Sequence, residues 1–281
     1  MPGTLDRMLR AQVASRPDET AVVFGDDHLT FRELHEGAAV LAAYLRTLGV
    51  VANQRVGICL EPALELAIGT WGVVLSGGAY VPLAPERSGE RLRRVIEDSG
   101  AQVVVTQEVF RARVDELAPP GTTVVTFKDA VQYAWRTAGA ERPLADVVSD
   151  SSQLAYVVYP SAFGDRVVGL ATEHRSIVAQ LGWLAAEHEL GPGATVVQKL
   201  PMDFDAGRWE ILAPGVGARV VFEPAFPWNG MGEWGDEHSF AEGAHSFPEG
   251  VGVQPRRLPR VREAAEAAEV VAGRVPSGLG R

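Results

Sequence analysis

The chain of 281 residues contains a single cysteine, Cys59, so no disulfide can form within it. Cys59 lies in the apolar run Val56-Gly57-Ile58-Cys59-Leu60 and reads as a small buried hydrophobe, not a reactive thiol. Lysine is almost as scarce. Only Lys128 and Lys199 occur, and arginine carries nearly all the positive charge. Long hydrophobic runs are missing too. The most apolar stretch, residues 67–83, is interrupted by Gly69, Gly72, Gly77, Gly78 and Pro82, so no membrane span is expected. The start, Met1-Pro2-Gly3-Thr4-Leu5-Asp6-Arg7, has no apolar signal core, and a cytoplasmic location is the default expectation. The net charge of −10 is spread along the chain, which argues against nucleic acid or an anionic membrane as a main partner. No Ser-His-Asp or Cys-His constellation marks a nucleophilic site.

What is present is ordinary globular material. Hydrophobic residues make up 46% of the chain and charged residues 22%, enough to bury a sizeable core. Strand and helix patterns alternate over the first two-thirds. Residues 21–24 read as a strand, and Gly25-Asp26-Asp27-His28 as its turn. Thr30 and Glu33 have capping-box spacing at a helix start. Phe31, Leu34, Ala38, Leu41, Ala42, Leu45 and Leu48 then recur on one face, and Gly49 ends the helix. Further strands are expected at 55–60, 79–83, 102–106, 123–127, 154–159, 195–198 and 219–222. Helices are expected at 62–76, 87–99, 108–117, 173–189 and 206–212, with 137–152 irregular. Such alternation implies an α/β fold with doubly wound, largely parallel sheets. After Glu223 the periodicity stops. Residues 1–223 are therefore expected to form a partial domain and 224–281 an irregular tail, in which only 261–271 has helical spacing.

Four segments carry a resemblance. They are Leu29-Thr30-Phe31-Arg32-Glu33-Leu34; Leu75-Ser76-Gly77-Gly78-Ala79-Tyr80-Val81-Pro82-Leu83; Leu154-Ala155-Tyr156-Val157-Val158-Tyr159 with its following loop and Glu173-His174-Arg175-Ser176-Ile177; and Phe204-Asp205-Ala206-Gly207-Arg208-Trp209-Glu210-Ile211. In this order the chain resembles the N-terminal half of the amino-acid adenylation domains of non-ribosomal peptide synthetases, members of the AMP-binding superfamily. The resemblance implies the activation of an amino acid by ATP and Mg²⁺ to an aminoacyl-adenylate, with release of pyrophosphate. It also implies transfer to a carrier-protein thiol.

The loop after Tyr159 stands where that family cradles phosphate. Phosphate cradles use glycine so that backbone amides can approach, hydroxyls for hydrogen bonds and lysine for charge. Here Ser161 and Gly169 match, Gly164 adds a glycine, and Arg166 falls at a variable position. Pro160 lacks an amide donor. Ala162 and Phe163 add bulk, Asp165 stands at a usual glycine, and Val168 stands at the usual lysine. A carboxylate ~4 Å from a phosphate charge costs about 1 kcal/mol in water and about 4 at an effective dielectric of 20. Even the lower figure weakens binding roughly fivefold to tenfold. Weak or absent ATP binding is therefore expected, with an ordinary surface loop as the plainer reading.

On the substrate side the resemblance makes Asp205 the partner of the substrate's α-ammonium, and Ala206 and Trp209 the first two side-chain-recognition positions. Together they would suit a medium-to-large apolar or aromatic amino acid. A helix cap for Asp205 and core packing for Trp209 are the plain alternatives. His174 and Arg175 read as surface residues at a helix start. His238 and His245, with Glu237 and Glu242, read as solvated loop residues, and no metal site is expected.

The family's adenine, ribose and C-terminal lysine segments are not found, so no residue is assigned a catalytic role and no turnover is expected of this chain alone. A non-catalytic docking module, or a gene remnant without activity, remains the alternative. Expected partners are the amino acid, a carrier protein and a complementing adenylation half or synthetase.

Overall fold

A computed structural model of the chain describes residues 3–137, 149–160, 167–198, 202 and 205–222, and for 205–208 the backbone alone. The chain opens with α1 (Leu5–Ser15), the hairpin β1 (Thr20–Phe24) and β2 (Asp27–Thr30), and α2 (Phe31–Thr47). It continues through β3 (Arg55–Cys59), α3 (Leu64–Ser76), β4 (Ala79–Pro82), α4 (Gly89–Ser99) and β5 (Val103–Thr106). A turn of 3-10 helix at Glu108–Phe110 runs into α5 (Arg111–Leu117), followed by β6 (Thr123–Thr126) and α6 (Phe127–Thr137). Then come β7 (Leu154–Val158), β8 (Leu170–Glu173), α7 (His174–Glu187), β9 (Thr195–Gln198) and α8 (Asp205–Leu212). A second 3-10 turn, Ala213–Val216, leads to β10 (Arg219–Phe222).

These strands make two sheets. The larger has six strands in the order β6-β5-β3-β4-β7-β8, the smaller four in the order β2-β1-β10-β9. All neighbours pair in parallel except at one edge of each sheet, where β8 runs against β7 and β2 against β1. In the larger sheet the chain steps from β3 to β4, returns past β3 to β5 and β6, then crosses back to β7. That is double winding, as the alternation of patterns implies.

Most expected elements are present within two or three residues of their expected ends. The capping box at Thr30 forms: its side chain accepts the Glu33 N–H at 3.2 Å, and Glu33 Oε2 accepts the Thr30 N–H at 2.8 Å. Gly49 follows α2 at φ +88°, a conformation open to glycine. Four elements go beyond the sequence reading: α1, β2, α6 and β8. Asp27 and His28, expected in a turn, pair instead with Phe24 and Val23.

The core is built around α3. Every residue of this helix is buried, and it packs against β1 of the smaller sheet and β3 and β4 of the larger. A helix apolar on all sides has to sit between layers, because it has no face to give to water. Its partner α2 comes close enough that a Cβ on Gly72 would lie 2.7 Å from Leu41 Cδ2. A second apolar cluster lies around Val81, Leu92, Ile96, Val104 and Tyr159. No described helix is long and apolar enough to cross a membrane.

Candidate functional site

The parallel strands of the larger sheet all end on one side, and β7 delivers the loop of interest there. In open α/β sheets the carboxyl ends of the strands are where ligands gather. Of the loop, Tyr159, Pro160 and residues 167–169 are described; Ser161, Gly164, Asp165 and Arg166 lie outside the described residues. Helix α4 holds the start of the loop. Arg91 Nη2 donates to the Tyr159 carbonyl at 2.9 Å and to the Pro160 carbonyl at 3.2 Å. The buried Tyr159 donates its hydroxyl to Asp98 Oδ2 at 2.8 Å. Burial and the neighbouring Asp98 carboxylate push the phenol pKa well above its usual value, so it stays a protonated donor.

Gly169 stands at the far end of the loop against that same ring. A Cβ there would fall 2.9 Å from Tyr159 Cζ, closer than real side chains approach. Its glycine is thus required by the tyrosine, whatever ligand lies beyond. Val167 packs into the cluster that contains Tyr159, whereas Val168, at the family's lysine position, is 39% exposed. The described part of the loop therefore offers an exposed apolar side chain where positive charge is wanted.

On the substrate side, α8 opens at Asp205. The aspartate stands in the first turn, where a carboxylate also suits the positive end of the helix dipole. The side chains of Asp205 and Ala206 lie outside the described residues. Trp209 is half-buried against the main core, in keeping with either a pocket wall or plain packing. His238, His245, Glu237 and Glu242 also lie outside the described residues. Among the described residues no three His, Cys, Asp or Glu side chains gather to hold a metal.

Two other readings meet the structure directly. Cys59 is 1% exposed, and burial pushes its thiol pKa up to about 11, in keeping with an inert hydrophobe. His174, by contrast, is not a surface residue. It is fully buried, and its Nδ1 accepts the Leu5 N–H at 3.2 Å, across 169 positions of sequence. Arg175 next to it is exposed and paired with Glu173. The sequence pattern does not reveal the burial of His174, because it depends on the start of α1, a helix with a weak local signal. The His174 Nε2 is buried with no hydrogen-bond partner among the described residues. Arg91, Asp98 and Tyr159 form a group that the sequence reading does not single out. The spacing of seven between Arg91 and Asp98, two turns of one helix, was the available signal.

Residues 9–235 match the AMP-binding enzyme family. The chain is similar to indigoidine synthase of Streptomyces lavendulae, 43% identical over 218 residues that cover 78% of this chain and 17% of that protein. It is 40% identical to indigoidine synthase of Dickeya dadantii (strain 3937), over 78% of this chain and 15% of that one. It is 32% identical to zwittermicin A synthase ZmaJ of Bacillus cereus, over 78% and 41%. The chain therefore spans less than half the length of each of these relatives. Among solved structures, the AMPPNP-bound form of the nonribosomal peptide synthetase FmoA3 superposes with a TM-score of 0.67 at 27% identity, covering 79% of this chain and 23% of that one. VinN in complex with L-aspartate shares the fold, with a TM-score of 0.70 at 21% identity over 78% and 57%. With its double winding, its loop after β7 and a family match over most of its length, the chain belongs to the AMP-binding enzymes and corresponds to the N-terminal half of a non-ribosomal peptide synthetase adenylation domain.

Proposed function

We propose that this chain serves amino-acid adenylation in non-ribosomal peptide synthesis, with a weakened nucleotide site, and that the 281 residues turn over no substrate by themselves. The observation that carries the reading is the loop after β7, held at the carboxyl edge of the larger sheet by Arg91 and Tyr159. In the reaction a substrate carboxylate attacks the α-phosphorus of ATP and pyrophosphate leaves. The developing negative charge calls for cations and amide donors.

The described residues meet that demand poorly. Pro160 has no N–H, its carbonyl is engaged by Arg91, and Val168 brings no charge. Mg²⁺ would enter on the ATP phosphates, which supply most of its oxygen ligands at such sites. On the substrate side, Asp205 is the proposed anchor for the α-ammonium, and Ala206 with Trp209 the start of a pocket for an apolar or aromatic side chain. A carrier protein would receive the activated acyl group, and the rest of the chemistry would come from a complementing part of the synthetase.

The test is calorimetric titration of the purified protein with Mg·ATP, after a cooperative melt has been recorded. Binding in the micromolar to low-millimolar range, strengthened by Val168→Lys combined with Asp165→Gly, supports the reading. A well-folded protein that binds no nucleotide sinks it in favour of a docking module. Absence of a cooperative melt favours a remnant without activity. Amino-acid-dependent pyrophosphate exchange by the 281 residues alone would refute the absence of turnover.

A further inference from the structure

We propose that Arg91 is a positioning residue for the phosphate loop, acting with Asp98 and Tyr159 as a clamp that fastens both ends of the loop to α4. The proposal rests on the preceding reading only for what the loop binds; the clamp itself stands on geometry. Arg91 and Asp98 are seven residues apart on α4, so two helical turns place them on one face. The buried Leu92, Val95 and Ile96 anchor that helix in the cluster around Tyr159. From this fixed base the Arg91 guanidinium takes two successive carbonyls, Tyr159 at 2.9 Å and Pro160 at 3.2 Å. A planar fork that holds consecutive carbonyls fixes the peptide planes as the chain leaves β7.

Asp98 completes the clamp by accepting the Tyr159 hydroxyl at 2.8 Å, which sets the ring. The ring in turn leaves room for nothing larger than glycine at 169, so the end of the loop is located by the same tyrosine. One helix thus holds the start of the loop through backbone carbonyls and its end through an aromatic face. The two carbonyls that Arg91 holds belong to the backbone and not to any reacting group. It acts through the backbone.

Hydrogen–deuterium exchange of the full 281-residue protein tests this. In Arg91→Ala the amides of residues 161–170 should exchange about tenfold faster, the size expected for losing hydrogen bonds to a charged group, while β4 and β7 keep their protection. Arg91→Lys should restore part of it. Arg93→Ala, at an exposed position of the same helix, should change nothing. Tyr159→Phe deletes only the hydroxyl and keeps the clamp testable if the alanine variant folds poorly; it should loosen the loop by a smaller factor. Loop exchange unchanged in Arg91→Ala and Tyr159→Phe would overturn the proposal. So would loop amides already unprotected in the wild type, or acceleration spread evenly over the sheet. Adding Mg·ATP separates the two ideas. Slower loop exchange in the wild type supports the nucleotide reading, and no change counts against that reading while leaving the clamp to the variants.

Discussion

His174 accepts the Leu5 N–H through Nδ1, and the ring can accept there only while that nitrogen carries no proton. Burial depresses its pKa, with Asp6 opposing in the other direction. The folded state therefore takes up a proton at lower pH than the unfolded chain, whose histidine titrates near ~6.5. The sign follows from linkage. The contribution of His174 is complete above the unfolded pKa and is lost as pH falls from there through the depressed folded value. Thermal midpoints recorded from neutral to mildly acidic pH should fall. In His174→Asn, whose amide oxygen can replace the acceptor without titrating, the fall should be shallower. Equal slopes in the two proteins would show that other groups dominate. Gly169 teaches a related lesson about single residues. In the sequence it reads as part of a phosphate cradle, yet the structure sets it against the ring of Tyr159. Both demands call for the absence of a Cβ, and a sequence pattern cannot tell them apart.

Local signals identified elements wherever the element satisfies itself. The Thr30–Glu33 box is closed by residues three apart, so it was legible before any fold was known. Thr30→Ala should cost about 1 kcal/mol, and Thr30→Ser much less, because serine keeps the acceptor. A lower denaturant midpoint with an unchanged slope for the alanine variant alone checks this; identical midpoints would mean the cap adds nothing here. The elements that escaped are short or depend on distant partners. Strand β8 has four residues, with Leu170 and Ala171 exposed, and exists because β7 pairs with it. Strand β2 begins inside what looked like turn residues, since only Gly25 and Asp26 separate it from β1. Helices α1 and α6 bury only Leu5, Asp6, Met8 and Leu9 in the first and Ala130 and Ala134 in the second, a thin stripe in each case.

Across the whole molecule the two sheets share one apolar centre through α3. Trp71 lies there, fully buried, with its ring 3.4 Å from the place a Cβ would take on Gly215. Trp71→Ala should destabilise the protein by about 3–5 kcal/mol, because the large cavity cannot close between two layers. Trp183, 60% exposed on α7, should tolerate alanine to within about 0.5 kcal/mol. Chemical denaturation of the two variants decides the matter. Comparable losses would mean that α3 is not the joint between the sheets. The same scale bears on function, because the chain spans 17% of the length of one indigoidine synthase that it matches.

The sequence by itself determined the alternation of strands and helices, the cap at Thr30, the inert burial of Cys59 and the resemblance to adenylation domains. Each depends on neighbours within a few residues or on motif order along the chain. Only the tertiary structure decided that the strands divide into two sheets with antiparallel edges, that His174 lies beneath α1, and that Arg91 and Asp98 of α4 hold Tyr159. Those contacts join residues 61 to 169 positions apart. No local period encodes such a pairing. It arises when apolar faces from distant segments are buried together and the polar groups carried in with them must find partners.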